Sequence, residues 1–411
     1  MYLLYNILVV IIGFFLKLII PFNKKIKLFI EGRKEIFSKL NKKIAKNDGV
    51  IWFHCASLGE FEQGRPILEK LKEQHPNHKF VLTFFSPSGY EIRKDYEFAD
   101  VICYLPLDTK QNAKLFLDLV HPDLVVFVKY EFWPNILREL KIRDIKTILV
   151  SGIFRQDQLF FKWYGSWIRK SLKAFNHFFV QDENSKQLLE NIKFNNVTVN
   201  GDTRFDRVYE ITQQNNQLDF IDSFKNGNYT LVAGSTWKED EELLVDYINN
   251  RASEKEKFII ASHNINSKDI EELKKSIVKK VVLFSEKEHY NLKEFQVFII
   301  DTVGILTEIY NYADVAYVGG GFTKTGVHNV LEPATFGVPI IIGPNYKKFN
   351  EVIELIKNKA CFVVNNSQKL SAILNEFFQQ KQHREEVGSR ALNYVVSKTG
   401  ASSKILNYLK K

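Results

Sequence analysis

Residues that build metal centres and disulfide frameworks are scarce in this chain. Its three cysteines, Cys55, Cys103 and Cys361, lie far apart in apolar stretches of a 411-residue sequence. Their spacing fits neither a structural zinc site nor a disulfide framework. We therefore expect three buried free thiols in a reducing compartment.

Nucleic-acid-binding patterns are also missing. The chain carries 57 Lys and Arg against 48 Asp and Glu, a formal net charge of +9. Such a balance suits nucleic acid, an anionic membrane surface or an anionic substrate. No stripe of basic and aromatic residues and no nucleic-acid-binding motif accompanies that charge. We therefore expect no nucleic-acid partner, and an anionic membrane or substrate stays open.

The first 22 residues form a long apolar segment, MYLLYNILVVIIGFFLKLIIPF, interrupted by Asn6 and Lys17. A membrane-spanning helix needs roughly 20 apolar residues. A signal peptide would carry its positive charge first, whereas here basic residues follow at 24–34. That order favours a cytoplasmic location for the rest of the chain and contact with anionic headgroups. We predict an uncleaved anchor over 1–22, either spanning or lying in the interface. The alternatives are a buried helix of the first domain and a signal peptide.

Past residue 48, short apolar runs alternate with amphipathic stretches that are typical of helices. A first series of runs lies at 50–55, 79–85, 124–128, 147–150 and 177–180, and a second at 230–233, 257–261, 280–284, 296–300, 315–318 and 339–342. Continuous apolar strands separated by helices indicate parallel sheets covered on both faces. The sequence therefore predicts an α/β protein with two Rossmann-like domains that face a central cleft.

We expect the domain junction in the polar, Asn- and Gln-rich segment 207–228, which contains no strand-like run. An N-terminal domain then covers 23–206 and a C-terminal domain covers 229–411, with 207–228 as a linker. Ligands of open α/β sheets bind outside the carboxyl ends of the strands. Motifs that directly follow strands are therefore the candidates for a functional site.

Three such motifs belong to the first domain. Glu60 ends H-C-A-S-L-G-E at a helix start, where a carboxylate acts as a general base if it reaches a hydroxyl, or simply interacts with the helix dipole. Lys129 and Glu131 stand in K-Y-E-F-W-P-N, whose Trp and Pro can equally serve packing and a turn. Arg204, in G-D-T-R-F-D, can bind a phosphate or carboxylate by two parallel hydrogen bonds, or form a surface ion pair.

The second domain carries the most specific motif, G-G-G-F-T-K-T-G-V-H-N-V-L-E-P-A at 319–334. Its glycines let the backbone approach a phosphate closely, although the pattern is neither a G-x-x-x-x-G-K-[ST] loop nor a G-x-G-x-x-G turn. Glu332, three residues after Asn329, can accept hydrogen bonds from ribose hydroxyls. Ser235 and Thr236 follow another strand and offer either backbone N–H groups to an anion or a helix cap. We predict a ligand site here, which the preceding D-T-V-G stretch also lines.

In this order, the blocks resemble the 3-deoxy-D-manno-octulosonate (Kdo) transferases of lipopolysaccharide biosynthesis. The resemblance extends from the apolar N-terminus to about residue 350 and rests on H-x-x-S-x-G-E, E-x-W-P-N, G-x-x-[KR]-F-D, the S-T turn, D-T-x-G and G-G-x-x-x-x-x-G-x-H-N-x-L-E-P. It implies a GT-B glycosyltransferase that needs no metal or other cofactor, takes CMP-Kdo as donor and the lipid A precursor (lipid IVA) as acceptor, and inverts the anomeric centre. It also implies the cytoplasmic face of the inner membrane, and last helices that can cross back to the first domain.

The resemblance assigns roles to the matching positions of this chain. Glu60 corresponds to the general base. Arg204 stands where the family usually has Lys and would stabilise the transition state, and Lys129 and Glu131 complete the catalytic set. The implied CMP-Kdo-binding residues are Ser235, Thr236, Ala261, Ser262, His263, Val303, Gly304, Ile305, Gly320, Gly321, His328, Asn329, Val330, Leu331 and Glu332.

Some positions depart from the family pattern. Lys129 replaces an acidic residue, and Ser262 replaces the arginine expected to meet the donor phosphate, so we hypothesise that Lys129 or Arg204 supplies the missing positive charge. The family's M-G-E is V-G-I at 303–305. Because the carboxylate is missing, contacts to the donor there must come from the backbone. The rival interpretations are another enzyme on the same architecture, such as a nucleotide-sugar epimerase or hexosyltransferase, and a non-catalytic glycolipid-binding protein.

Overall fold

The computed structural model describes residues 1–410, which form two compact units. One unit comprises Met1–Arg207 together with the segment that begins at Thr399, and the other comprises Val208–Lys398. Each unit contains one seven-stranded sheet whose strand pairs are all parallel. Parallel strands need crossover connections, and the amphipathic stretches between the apolar runs supply them as helices.

In residues 1–410, fourteen strands, seven in each sheet, form the two cores. They are β1 (Val50–Cys55), β2 (Lys79–Phe84), β3 (Val101–Tyr104), β4 (Leu124–Val128), β5 (Lys146–Gly152), β6 (His177–Val180), β7 (Val197–Val199), β8 (Tyr229–Thr236), β9 (Glu256–Ser262), β10 (Val281–Leu283), β11 (Val297–Ile299), β12 (Val315–Val318), β13 (Ile340–Ile342) and β14 (Cys361–Val363). The first sheet has the order β3-β2-β1-β4-β5-β6-β7, and the second has the order β10-β11-β9-β8-β12-β13-β14. The strand order of the first sheet reverses next to β1. That of the second reverses next to β8, and β11 additionally lies between β9 and β10.

Helices cover these sheets and form the N-terminal segment. They are α1 (Tyr2–Ile19), α2 (Lys24–Glu31), α3 (Ile36–Lys43), α4 (Leu58–Gln74), α5 (Pro87–Arg93), α6 (Lys110–Val120), α7 (Pro134–Ile142), α8 (Ser166–Arg169), α9 (Glu183–Asn191), α10 (Thr203–Ile211), α11 (Asp219–Lys225), α12 (Lys238–Asn250), α13 (Ser267–Ser276), α14 (Leu306–Ile309), α15 (Leu331–Thr335), α16 (Asn350–Lys357), α17 (Ser367–Gln379), α18 (Lys381–Ser397) and α19 (Ala401–Leu409). The strands are buried almost throughout, which is why their sequences are continuous apolar runs instead of alternating ones.

Short strands at the sheet margins were not predicted. The predicted runs at 50–55, 124–128, 177–180 and 315–318 match β1, β4, β6 and β12 to the residue. In contrast, β3 and β14 have no counterpart among the predicted runs, and β7 corresponds only to the short run 197–200 before G-D-T-R-F-D. Each has only three or four residues and ends its sheet or lies next to its edge, so its apolar stretch is too short to form a distinctive pattern.

The predicted linker 207–228 is a packed part of the second unit. The boundary between the units lies between Arg207 and Val208, at the start of that segment. Helix α11 then buries Ile221 and Phe224 completely in a cluster beneath the second sheet. The polar composition of the segment reflects its exposed face, while two apolar side chains attach it to the core.

The apolar N-terminal segment forms a helix with one face against the first unit. Its segment Tyr2–Phe22 is long and apolar enough to cross a membrane, with a mean hydropathy of 2.6. Gly13 is the one buried residue of α1, and most of its leucine, isoleucine and phenylalanine side chains are exposed. The alternative of a buried helix in the first domain is therefore wrong.

Candidate active site

Three candidate residues of the first unit follow β1 and β4, and the fourth, Arg204, lies in α10 after β7. Strands β1 and β4 are neighbours where the order of the sheet reverses, and open α/β sheets bind ligands in the crevice at such a point. Glu60 belongs to α4, which follows β1, while Lys129 and Glu131 lie between β4 and α7. The fold therefore brings the two motifs to one edge of one sheet.

Glu60 is a buried carboxylate at the start of α4. Only 5% of its surface is exposed, and its Oε2 accepts a hydrogen bond from the Ala56 N–H at 2.5 Å. Burial, followed by the negative charge of Glu131, raises the pKa of Glu60 to about 7, against the lowering effects of the Ala56 N–H and of Lys129. A carboxylate with a pKa near the working pH is well matched to general-base catalysis.

Glu131 is held by Trp133, which also contacts His54. The Trp133 Nε1–H points between Glu131 Oε2, at 3.1 Å, and His54 Nε2, at 3.2 Å. Since His54 Nε2 accepts from Trp133, we assign the ring proton to Nδ1, which lies 2.9 Å from Thr83 Oγ1. His54 and Thr83 are fully buried, so this chain of contacts fixes Glu131 from inside the sheet.

The two predicted cationic residues of this unit have different environments. Lys129 adopts a left-handed backbone conformation with φ 71°, its N–H donates to the Val150 carbonyl at 2.8 Å, and its charge lowers the pKa of Glu60. Arg204 places Nε and Nη2 each 2.8 Å from Asp202 Oδ2. Arg204 therefore forms an ion pair with Asp202, which was the alternative to anion binding. An anion bound there would share the guanidinium with Asp202.

In the second unit, Asp240 fixes the Gly-rich turn after β12. Gly320 has φ 89°, a region that favours glycine, and a Cβ on it would lie 2.6 Å from the Gly326 carbonyl oxygen. The buried Asp240 carboxylate accepts from the Gly320 N–H at 2.8 Å, the Trp237 N–H at 3.0 Å and the Tyr317 hydroxyl at 2.7 Å. The turn is therefore rigid, and it presents backbone instead of side chains.

Three aromatic rings stack beside this turn. His263 lies between Trp237 and His328, with ring centroids 4.7 and 4.4 Å away. Trp237 Nε1 donates to His328 Nε2 at 2.9 Å, so the proton of the His328 ring resides on Nδ1. Burial, followed by the nearby His263, lowers the pKa of His328 to about 4. The His328 ring is therefore uncharged near neutral pH, and its Nδ1–H is a hydrogen-bond donor at that end of the stack.

The hydroxyls of Thr236 and Ser262 both donate to Oε1 of Glu241, at 2.9 and 2.7 Å. A cavity of about 690 Å³ opens beside them. The carboxylates that line it are those of Glu241, Glu242, Asp246, Asp269 and Glu272. So many negative charges disfavour a phosphate or an acidic sugar, which makes this cavity a poor match for an anionic donor. The assignment of the Ser262 hydroxyl to donor binding stays a prediction.

Asn329 and Glu332 orient each other at the start of α15. Asn329 Nδ2 donates to Glu332 Oε1 at 2.9 Å, and Asn329 Oδ1 accepts from the Leu331 N–H at 3.1 Å. Thr307 Oγ1 donates to Glu332 Oε2 at 3.2 Å. The motif therefore opens a helix, and it places an oriented carboxylate directly after the Gly-rich turn in sequence.

The other donor-site candidates differ in what they expose. The side chains of Ala261, Val330 and Leu331 are buried, so only their backbone is available to a ligand. Ser235 has a left-handed φ of 54° at the end of β8. Gly321 lies against backbone, because a Cβ on it would lie 2.6 Å from Gly343.

The loop at 303–305 follows β11 and precedes α14. Val303 is 82% exposed, and Gly304 has φ 98° with no atom near the position of a Cβ. This open loop is compatible with the expected backbone contacts. In the described residues 1–410, no group of three or more His, Cys, Asp or Glu side chains could hold a metal ion.

Sequence reasoning missed the structural importance of Asp240 and Trp237. Asp240 belongs to the acidic run 239–242 that follows the S-T turn, and nothing in that run singles it out. The available signal was its position three residues after Trp237 at a helix start, because an acidic residue there can accept the N–H of the capping residue. The contacts to Tyr317 and Gly320 come from β12 and its turn, far along the chain, and leave no local pattern.

Comparisons with known proteins agree on family and fold. The family model described as 3-deoxy-D-manno-octulosonic-acid transferase (Kdo transferase) matches residues 31–207. The chain is 30% identical to a 3-deoxy-D-manno-octulosonic acid transferase from Aquifex aeolicus over 86% of this chain and 92% of that protein. It is 26% identical to the Chlamydia trachomatis protein of the same name, over 87% and 86% of the two chains.

Solved structures show the same architecture at much lower identity. UDP-GlcNAc 2-epimerase from Neisseria meningitidis superposes with a TM-score of 0.60 at 15% identity, over 88% of this chain and all of that one. This likeness, with the two parallel sheets, confirms the predicted GT-B fold class. The epimerase shares only the fold, whereas the sequence relatives of nearly full length are transferases. The chain therefore belongs to the family of 3-deoxy-D-manno-octulosonic acid transferases, which are glycosyltransferases of lipopolysaccharide synthesis.

Proposed function

We propose that this enzyme transfers Kdo from CMP-Kdo to the lipid A precursor lipid IVA, with inversion, and that Glu60 is the general base. The observation that carries the proposal is the buried Glu60 carboxylate with a pKa of about 7 beside Glu131. In the step, Glu60 removes the proton from an acceptor hydroxyl, and the oxygen forms a bond to the anomeric carbon of Kdo. The bond from that carbon to the phosphate oxygen breaks, and CMP leaves.

Burial is the largest cause of the raised pKa of Glu60, and the charges of Glu131 and Lys129 modify it. The charge of Glu131 raises the pKa of Glu60, and that of Lys129 lowers it. Two neighbouring carboxylates in different environments can take separate acid–base roles. Lys129 and Arg204 are the cationic candidates for stabilising negative charge in the transition state.

We assign the CMP group to the second unit. The rigid Gly-rich turn and the Asn329–Glu332 motif support this assignment, since close-approaching backbone suits a phosphate and an oriented carboxylate suits ribose hydroxyls. The His263–His328 stack adds a planar surface for the base. Backbone N–H groups at such a turn can neutralise an anionic leaving group, so no metal is required.

We place the enzyme at the cytoplasmic face of the inner membrane, where a glycolipid acceptor embedded in the bilayer would meet it. The apolar face of α1 and the lysines that follow it support this location.

Replacing Glu60 by Gln tests the proposed base. We expect transfer from radiolabelled CMP-Kdo to lipid IVA to fall by about 10²- to 10⁴-fold, the range typical of general-base removal, while CMP binding is unchanged.

The same variant has a predictable effect on stability, because the negative charge of Glu60 does not stabilise the folded protein. The pKa of Glu60 lies above its ordinary value of 4.5, so stability falls as pH rises from 4.5 to about 7. At pH 8 the variant should therefore unfold at the same or a higher temperature.

Retained turnover in Glu60→Gln would remove Glu60 from the mechanism. A wild-type enzyme that isomerises a nucleotide sugar but leaves the glycolipid unlabelled would instead favour the epimerase interpretation.

A further inference from the structure

The first turn of α1 makes polar contacts with the protein body. Tyr2 Oη donates to Asn135 Oδ1 at 2.5 Å, and Tyr5 Oη donates to Asp108 Oδ2 at 2.7 Å. Asp108 is 2% exposed and Asn135 1% exposed. Hydrogen bonds to such buried acceptors fix the first turn, since breaking them would leave the acceptors without these donors.

Asp108 and Asn135 in turn hold the start of α7. The two oxygens of Asp108 accept the N–H groups of Asn135 and Ile136, both at 2.9 Å, and Asn135 Nδ2 donates to the Asp108 carbonyl at 2.5 Å. Helix α7 begins at Pro134, directly after the loop that carries Glu131 and Trp133. The hydroxyls of Tyr2 and Tyr5 thus contact the two residues that hold the end of the loop that carries Glu131.

The remaining contacts of α1 follow one stripe. Tyr2, Tyr5 and Asn6 are half-buried, Gly13 is buried, and a Cβ on Gly13 would lie 3.1 Å from Leu107 Cδ1. This spacing places them on one side of a helix. The opposite side consists of side chains that are 41% or more exposed: Leu3, Leu4, Ile7, Leu8, Val10, Ile11, Ile12, Phe14, Phe15, Leu18 and Ile19.

These contacts are incompatible with a helix that crosses the bilayer. An 18-residue helix is about 27 Å long, close to the roughly 30 Å of a hydrocarbon core. In a crossing orientation the first turn would emerge on the side opposite to the protein body, where Tyr5 could not reach Asp108. Contacts at both the first turn and Gly13 require the helix to run along the body.

The exposed side of α1 has the chemistry of an anionic bilayer surface. Its apolar side chains suit the boundary of acyl chains and headgroups, and Lys17, Lys24, Lys25 and Lys27 are exposed along it or directly after it. Cations at that depth are attracted to anionic lipids.

We infer that α1 lies in the plane of an anionic bilayer, and that Tyr2 and Tyr5 position the loop carrying Glu131 through Asn135 and Asp108. The inference rests on the proposed function, since the loop matters for turnover only if Glu60 and Glu131 act in transfer. Helix α1 is then part of the acceptor side of the enzyme as well as its attachment to the membrane.

The double variant Tyr2→Phe/Tyr5→Phe removes both hydroxyls and keeps both rings. With lipid IVA in detergent, we expect kcat to fall by about tenfold, because a displaced loop misplaces catalytic groups, and the KM for CMP-Kdo to stay within about twofold. The acid limb of the pH profile of kcat should move to lower pH. A displaced Glu131 no longer raises the pKa of Glu60, while Lys129 still lowers it. Tyr164→Phe, which removes an exposed hydroxyl from the same unit, is the matched control and should behave as wild type.

Sedimentation with phosphatidylglycerol-containing vesicles separates positioning from attachment. Binding of the double variant should equal that of the wild type, because the lipid-facing side chains are unchanged. An unaltered kcat and pH profile in the folded double variant, checked by circular dichroism, would overturn the positioning role. The milder Tyr5→Phe variant gives the same test if the double variant unfolds. A wild-type enzyme without any Kdo transfer would defeat the proposed function instead.

Cross-linking tests the in-plane orientation independently of activity. In Gly13→Cys/Leu107→Cys, the second substitution removes the Leu107 Cδ1 atom that a side chain at 13 would approach, and the three native cysteines are buried. Oxidation of the vesicle-bound protein should join residues 13 and 107, as detected by mass spectrometry of peptides. Joining in detergent but not on vesicles would show that α1 leaves the protein body in the membrane and would overturn the inference.

Discussion

The environment of Glu60 suits the base that we propose, and the same environment weakens the fold. A carboxylate that is 5% exposed loses solvation, and the nearby Glu131 adds repulsion. Both effects raise its pKa, and both weaken the fold at neutral pH. Such a residue is favoured only where an ionisable group with a pKa near the working pH is useful.

Glu131→Gln tests the coupling between the two carboxylates. Removing a negative neighbour favours the charged form of Glu60, so its pKa should fall below about 7. We expect the acid limb of the kcat profile, normalised to its own maximum, to move to lower pH. An unshifted limb would show that Glu131 does not act on Glu60.

Trp237→Phe tests the ring stack of the second unit. The change keeps an aromatic ring against His263 but removes the donor that holds His328 in one tautomer at 2.9 Å. Losing about 1 kcal/mol of such a hydrogen bond should weaken CMP binding by about fivefold, as measured by calorimetry. Unchanged affinity would place the stack outside the donor site. The exposed Trp163→Phe is the control.

Among the structural elements, the Gly-rich turn was identified from its sequence, but the contacts that hold it were not. The glycines and the helix start at Leu331 could be anticipated from local sequence. The anchor of the turn could not, because Asp240 reaches Gly320 across 80 residues of sequence. Likewise, the strand-end motifs of the first unit were identified, but the contact of Trp133 with His54 depends on neighbouring strands.

Asp240→Asn tests the anchor of this turn. An amide has only one acceptor oxygen, so it cannot accept from the Gly320 and Trp237 N–H groups and the Tyr317 hydroxyl as the carboxylate does. We expect a loss of about 2–3 kcal/mol in unfolding free energy, and weaker CMP binding. The exposed Glu239→Gln is the control.

At the scale of the whole molecule, the chain leaves the first unit at Arg207 and returns to it at Thr399. The return helix α19 buries Ile405 and Leu406 beside β1, β2 and α4 of the first core. Asp206 accepts the N–H groups of Gly400 and Ser402, at 2.5 and 2.6 Å. The amphipathic pattern of α19 predicts a helix but not which core it joins, since either unit could cover its apolar face.

A chain that ends at Lys398 tests the contribution of α19. Removing the buried side chains of Ile405 and Leu406 lowers the unfolding free energy by about 4 kcal/mol or more. The first unit is the one destabilised, because these side chains pack in its core. We expect its unfolding transition, followed by calorimetry, to shift to lower temperature, while CMP binding to the second unit persists. A chain that ends at Leu409 is the control. Equal transitions for both chains would contradict a structural role for α19.

We propose that this chain transfers Kdo to a lipid A precursor. The most direct measurement is mass spectrometry of the glycolipid after incubation of the purified full chain with CMP-Kdo and lipid IVA in detergent. We predict a product heavier than the acceptor by one or more Kdo residues, formed with release of CMP and absent with Glu60→Gln. An unchanged acceptor, in a wild-type preparation that is folded and binds CMP, would contradict the claim.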